Sequence, residues 1–342
     1  MNPCRKLIII IIATSLLLAG CLHSSDDSHL SVHMIDIGQG DSFLIKTPEG
    51  ITMLIDGGLP QESDQLIAYL KRHHVNQIDY MIATHPHADH IGGLIPVMKE
   101  LPVHHVIMPA AAHTSLLYES FLETVLESQA DIQVVQASSQ HSIERDVSFE
   151  ILYTGIYYGS NLNDWSVVLR LIHDEMSFLF TGDLESGAEM DLLNYFSPEQ
   201  LSSEVLKVGH HGSSTSTTQP FLNAVQPKIA LISCSIDNPY GHPSDQVIHR
   251  LEAAGVWIYR SDLQGSVILY SDGEKIWSHQ APVNLSPVSS ADIFTKRLSL
   301  RIDHFRCFSV YAVPFQKQAV QMVPAPLTNA ILHFILIHQR FH

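Results

Sequence analysis

The chain has 342 residues, 45% hydrophobic and 16% charged, which is enough to bury a sizeable core and too apolar for a disordered chain. Its 19 Lys and Arg against 35 Asp and Glu leave a formal net charge of −16, which argues against a generic electrostatic grip on nucleic acid. Phosphate chemistry stays open, because bound divalent ions invert the local charge.

In chain order, Arg5 and Lys6 precede an apolar run over residues 7–12, and Leu18-Ala19-Gly20-Cys21 follows. This is the pattern of a secretory signal over residues 1–21, too short to read as a spanning helix. Residues 22–29 read as a solvated tether. Cys4 falls inside the signal. Cys234 and Cys307 are too far apart for a thiolate zinc site, so any metal here is held by nitrogen and oxygen ligands.

Residues 30–38 alternate like a strand, and Gln39-Gly40-Asp41 turns into a second over residues 42–46. A third strand over residues 51–55 ends in Asp56-Gly57-Gly58. The spacing of Leu66, Ile67 and Leu70 predicts a helix over residues 65–73. A strand then runs into Thr84-His85-Pro86-His87-Ala88-Asp89-His90, and a helix is expected over residues 91–101. A short strand over residues 106–108, a helix over 115–128 and a strand over 132–135 follow.

The second half repeats the theme. A strand over residues 149–153 precedes a hairpin of residues 166–172 and 177–180, which ends in Thr181-Gly182-Asp183. A helix over residues 185–196 leads to a strand over 204–208 that ends in Gly209-His210-His211-Gly212-Ser213. A helix from Gln219, a strand over residues 228–233, a helix over 244–254 and strands around Trp257 and over 266–270 close the unit. Two runs of strands followed by helices predict two sheets packed face to face with helices outside, an α+β fold. Residues 30–283 are expected to form this domain. Beyond them the composition turns basic and the patterning stops, so residues 284–342 read as an appendage of unknown role.

Acidic and imidazole groups recur where a strand gives way to a glycine-containing turn: Asp56, then His85 to His90, then Asp183, then His210 and His211. Chain leaving a strand end is free to approach other strand ends, where sheet proteins assemble sites. A lone strand-end aspartate is usually a helix cap, but the set in this order favours a metal site. His242, in Asn238-Pro239-Tyr240-Gly241-His242, suits a phosphate contact or a general acid, or is a plain turn histidine. Ser213, Ser214, Thr215 and Ser216 either meet substrate oxygens or cap the next helix.

THPHADH resembles the His-x-His-x-Asp-His signature of the metallo-β-lactamase fold, a four-layer αββα sandwich. IDIGQGDSFLIKTPEG, LIDGG, FLFTGDLE, LKVGHHGS and YGHPS look more narrowly like the extracytoplasmic hydrolase domain of ComEC-type competence proteins. The likeness runs over roughly residues 30–280 and lacks a membrane channel. The resemblance implies two divalent ions, zinc or manganese. His85 and His87 would hold one, Asp89 and His90 the other, and Asp183 would bridge them. Either His210 or His211 would complete the second site, with Asp56 and Asn163 supporting from behind. The superfamily supplies a further histidine before Asp183. Here the candidate is His173, which the hairpin places at the far end from Asp183. Asn161, Asn163, Asp164 and Ser166 lie at the near end instead, so an oxygen ligand there would tilt preference toward manganese.

The expected reaction is hydrolysis of a phosphodiester, DNA included, by water activated between the ions, with Asp89, Asp183 and His242 as catalytic residues. A phosphocholine-type ester or a β-lactam is the alternative substrate, and a non-catalytic metal-binding surface protein the alternative class. Leu18 to Cys21 also resembles a lipobox, which implies lipid on Cys21 and a place outside the cell, anchored to a bacterial membrane.

Overall fold

The computed structural model describes residues 29–284. The expected signal with Cys21, nearly all of the expected tether, and the expected appendage from residue 285 onward lie outside the described residues. Among the described residues, no helix is long and apolar enough to cross a membrane.

Strict alternation sorts the side chains of each strand between two faces, and here both faces find a partner. The first sheet contains β1 (Leu30–Met34), β2 (Phe43–Lys46), β3 (Thr52–Ile55), β4 (Ile78–Ile82), β5 (Val103–Pro109) and β6 (Asp131–Val135). The second contains β7 (Ser139–Ser142), β8 (Val147–Leu152), β9 (Val168–His173), β10 (Met176–Phe180), β11 (Val205–Lys207), β12 (Ile229–Ile232) and β13 (Trp257–Arg260). The chain then returns to the first sheet with β14 (Val267–Ser271) and β15 (Ile276–Ser278). The orders are β15-β14-β1-β2-β3-β4-β5-β6 and β13-β12-β11-β10-β9-β8-β7.

Met53 and Ile55 of β3 join Phe178 and Phe180 of β10 in the core between the sheets, while Leu54 turns the other way. Phe43 meets Phe180 edge-on across this core, with ring centroids 5.4 Å apart. Leu54 packs with Leu66 and Leu70 of α1 (Ser63–Arg72), Leu94 and Val97 of α3 (Leu94–Glu100), and Phe121 of α4 (Leu116–Glu127). The second sheet's outer face is covered by Leu192 of α5 (Ser186–Tyr195), Phe221 of α6 (Gln219–Val225) and Val247 of α7 (Asp245–Ala253). Helix, sheet, sheet and helix therefore stack as the αββα sandwich expected from the sequence.

One predicted element divides. The helix expected over residues 91–101 is two, α2 (Ala88–Ile91) and α3, separated at Gly92-Gly93. The cause is close packing: a Cβ on Gly93 would lie 2.0 Å from the Gly57 carbonyl oxygen. That contact ties the loop after β3 to the loop after β4, and so positions the site.

Candidate metal centre

The parallel run β3-β4-β5-β6 ends beside the parallel run β10-β11-β12-β13, and the strand-end turns of both sheets meet there. Val167 donates across the seam to the carbonyl of Thr84, 2.9 Å away. Asp183 follows β10, and its Oδ2 is the hub. His90 Nε2 lies 3.2 Å from it, His211 Nε2 3.3 Å, and His85 Nε2 and His210 Nε2 each 3.9 Å.

Each of these imidazoles is held by its outer nitrogen. His90 Nδ1 donates to Asp56 Oδ2 at 2.8 Å, and His211 Nδ1 to the Ser233 carbonyl at 2.9 Å. His210 Nδ1 faces Glu185 Oε1 at 3.2 Å. Thr84 Oγ1 donates to Asp56 Oδ2 at 2.6 Å, so it accepts from His85 Nδ1 at 3.1 Å. All four inner nitrogens are thus Nε2, the atom that would offer a lone pair to a cation at the centre.

The turns carry backbone strain to achieve this. Asp56, His210 and His211 have φ of 57°, 47° and 54°, in the left-handed region that costs a non-glycine residue free energy. Glycine is required once more at Gly40, whose Cβ would sit 2.3 Å from the Asp89 carbonyl oxygen. Asp89 Oδ2 in turn lies 3.4 Å from His211 Nε2.

Among the described residues, four overlapping groups could hold a metal ion: His85, His90 and Asp183; Asp89, His90 and His211; Asp41, Asp183 and His211; and Asp41, Asp56 and His90. Two observations fit a cation here. His90 Nε2 and His211 Nε2 are buried with no hydrogen-bond partner, although a carboxylate oxygen is close to each. His85 Nε2 and His87 Nδ1 lie 2.9 Å apart, a hydrogen bond in which one nitrogen carries the proton that a shared cation would replace. Cys234, the free cysteine among the described residues, is buried, and burial pushes its thiol up to about 12. The candidate donors are nitrogen and oxygen.

The protein's own charges are strongly coupled at this point. Burial would raise the Asp183 carboxyl, but His211, His90 and Lys207 hold it well below the carboxylate range. Burial would lower the His90 and His211 imidazoles, yet Asp183 and its neighbouring carboxylates hold both well above their ordinary value. Burial and then the charge of His90 depress His85. A centre whose imidazoles rise in this way is one with surplus negative charge to offer a cation.

The structure gathers Asp56, His85, His90, Asp183, His210 and His211, sets His87 against His85 and Asp89 against His211, and leaves His242 at the rim. Its ring centroid is 5.5 Å from that of His210 and 6.4 Å from that of His211, and Tyr240 stacks on it at 5.6 Å. Burial, then His210 and His211, lower the His242 imidazole to about 4. His173 stands at the far end of the β9-β10 hairpin, where Nδ1 meets Ser271 Oγ at 3.1 Å. At the near end Ser166 Oγ accepts from the Asp183 amide at 3.0 Å and lies 3.4 Å from His85 Nδ1. Asn163 faces His210 and Glu185, both at 3.5 Å, and its Oδ1 is buried without a partner. Ser213 to Ser216 do not cap the next helix. Thr218 does, while Ser216 Oγ donates to the Leu184 carbonyl at 2.7 Å and keeps the loop closed.

The sequence reading missed Asp41, Glu185 and Lys207. Lys207, at the end of β11, is only 1% exposed and contacts both Asp41 and Asp183. A lysine ending an otherwise apolar strand, Val205-Leu206-Lys207-Val208, is the signal that could have found it.

The chain is similar to the ComE operon protein 3 of Bacillus subtilis, 31% identical over 264 residues, which cover 72% of this chain and 33% of that protein. It is likewise 30% identical over 261 residues to the competence protein ComA of Neisseria gonorrhoeae, covering 74% of this chain and 34% of that one. It thus spans about a third of the length of these relatives. Among solved structures it is similar to CmlA, a diiron β-hydroxylase from Streptomyces venezuelae, with 14% identity, 71% and 54% of the two chains covered, and a TM-score of 0.49. Residues 35–235, which carry all the strand-end candidate ligands described above, match the metallo-β-lactamase superfamily, and the chain belongs to it.

Proposed function

We propose that this protein is a metal-dependent phosphodiesterase that holds two divalent ions, zinc or manganese, and works outside the cytoplasm. The observation that carries the reading is the convergence of four imidazole Nε2 atoms on one buried oxygen of Asp183. His85, His87 and Asp183 would hold the first ion, and Asp89, His90, His211 and Asp183 the second. His211 suits the second ion because its Nε2 lies against Asp89, whereas half-buried His210 faces Asn163 and His242 at the rim. Ions bound there supply water of lowered pKa and neutralise charge that builds on phosphoryl oxygens.

The chain's own residues do the rest. Asp56 and Thr84 keep His85 and His90 in the tautomer that faces inward. Glu185 orients His210 toward the mouth of the site. With its imidazole lowered to about 4, His242 is neutral at pH 7 and can donate one N–H to a phosphoryl oxygen. DNA is among the substrates this chemistry would take. Lipid on Cys21 would tether the domain to a bacterial membrane, and Cys21→Ser protein found signal-cleaved in the membrane fraction would refute that anchor.

The decisive assay is hydrolysis of bis-p-nitrophenyl phosphate by protein lacking residues 1–21, with and without added manganese or zinc. Metal-dependent turnover is expected, and Asp183→Asn should abolish it while circular dichroism stays unchanged, since an amide cannot bridge two cations as a carboxylate does. Turnover that persists in Asp183→Asn, or metal-loaded protein that cleaves a β-lactam and no phosphodiester, would overturn the reading.

A further inference from the structure

The centre contains a positive charge that the proposed metal chemistry does not use. Lys207 Nζ donates to the Gly182 carbonyl at 2.7 Å, forms an ion pair with Asp41 Oδ2, and lies 3.5 Å from Asp183 Oδ1. It is sealed from solvent, and so is Asp41. A lone ammonium in such a place would be far too costly, so the pair stands or falls together.

The two oxygens of Asp183 have different nearest partners. Oδ1 faces the Lys207 ammonium. Oδ2 faces His85, His90, His210 and His211. Asp41 is divided likewise, with Oδ2 on Lys207 and Oδ1 turned to His211 Nδ1 at 3.4 Å. The Gly182 carbonyl fixes the ammonium beside the residue that precedes Asp183, so the carboxylate cannot rotate without parting from it.

We infer that Lys207, held by Asp41, is a positioning residue that ties up one oxygen of Asp183 and leaves the other as the single atom presented to both ions. The inference rests on the two-ion reading above. Without the ammonium, Asp183 is free to turn and offer one oxygen to each ion, or both to one. Asp41 would then lie as an uncompensated carboxylate behind His211 and draw that ring, or a cation, out of place.

Manganese titration of the full domain, followed by calorimetry and electron paramagnetic resonance, tests this without relying on turnover. Wild-type protein should take two Mn²⁺ ions with the multiline spectrum of an exchange-coupled pair, since one shared oxygen brings the ions close. Lys207→Met should bind at least one ion about 10- to 100-fold more weakly, the usual effect of losing a residue behind a ligand, and lose the wild-type coupling pattern. The double variant Asp41→Asn, Lys207→Met removes both charges together, protects the fold from an unpaired buried carboxylate, and should show the same altered spectrum. Either folded variant with wild-type affinities and wild-type coupling would overturn the role of Lys207. A wild-type protein that binds no manganese or zinc would instead overturn the metal centre itself.

Discussion

At the scale of single residues, the centre depends on groups that never touch its middle. Asp56 organises two histidines from a left-handed backbone position, and Glu185 aims a third. His242 differs from these, because it belongs to the rim and has Nδ1 buried with no partner. Its half-buried ring stacks on Tyr240, which is 67% exposed, at the edge of the site. His242→Ala should therefore lower kcat on a phosphodiester by about 100-fold, the scale expected for one lost donor to a developing charge. Metal content measured by elemental analysis should not change. Lost metal in this variant would place His242 among the ligands, and unchanged kcat would remove it from the chemistry.

At the scale of elements, β1 and α1 share a polar contact inside otherwise apolar packing. His33 of β1 meets Tyr69 Oη at 3.0 Å and Ser31 Oγ at 3.1 Å, and burial, then His73 and Lys46, lower its imidazole to about 3. Unfolded, the same ring titrates near its usual 6.5. Between those values the unfolded chain binds the extra proton, so the stabilisation is present above pH 6.5 and is lost as pH falls toward 3. Thermal melts of wild type and His33→Gln should differ most at pH 7 and converge on acidification, by on the order of a few kcal/mol. Parallel curves would show that His33 does not govern the acid limb. These elements were legible in the sequence because their apolar period is local. What stayed hidden depended on partners far along the chain. β7 (Ser139–Ser142) is short and polar and pairs only because β8 lies beside it, and β15 (Ile276–Ser278) needs β14. Asp41 reads as a turn residue and Lys207 as a strand end, and only the meeting of two sheets makes them neighbours. The histidine cluster and Asp183 could be read because their residue types are distinctive enough to survive that loss of context.

At the scale of the whole molecule, the candidate ligands come from both sheets, His85 to His90 from turns of the first, and Asp183 and His211 from the second. Metal held there would therefore bind the folded arrangement and not its halves. At free metal 100 times the dissociation constant, that linkage adds about 2.7 kcal/mol, or roughly 5–10 °C in Tm for a domain of this size. Differential scanning calorimetry with and without a chelator should show this difference, and coincident transitions would mean that no ion spans the seam. The Val167–Thr84 hydrogen bond is the one backbone link described above that crosses beside those ligands. Its amide proton should then act as a clock for the centre. In the metal-loaded protein it would exchange with deuterium only when the whole domain opens, and after chelation it would exchange on the shorter timescale at which the two sheets part.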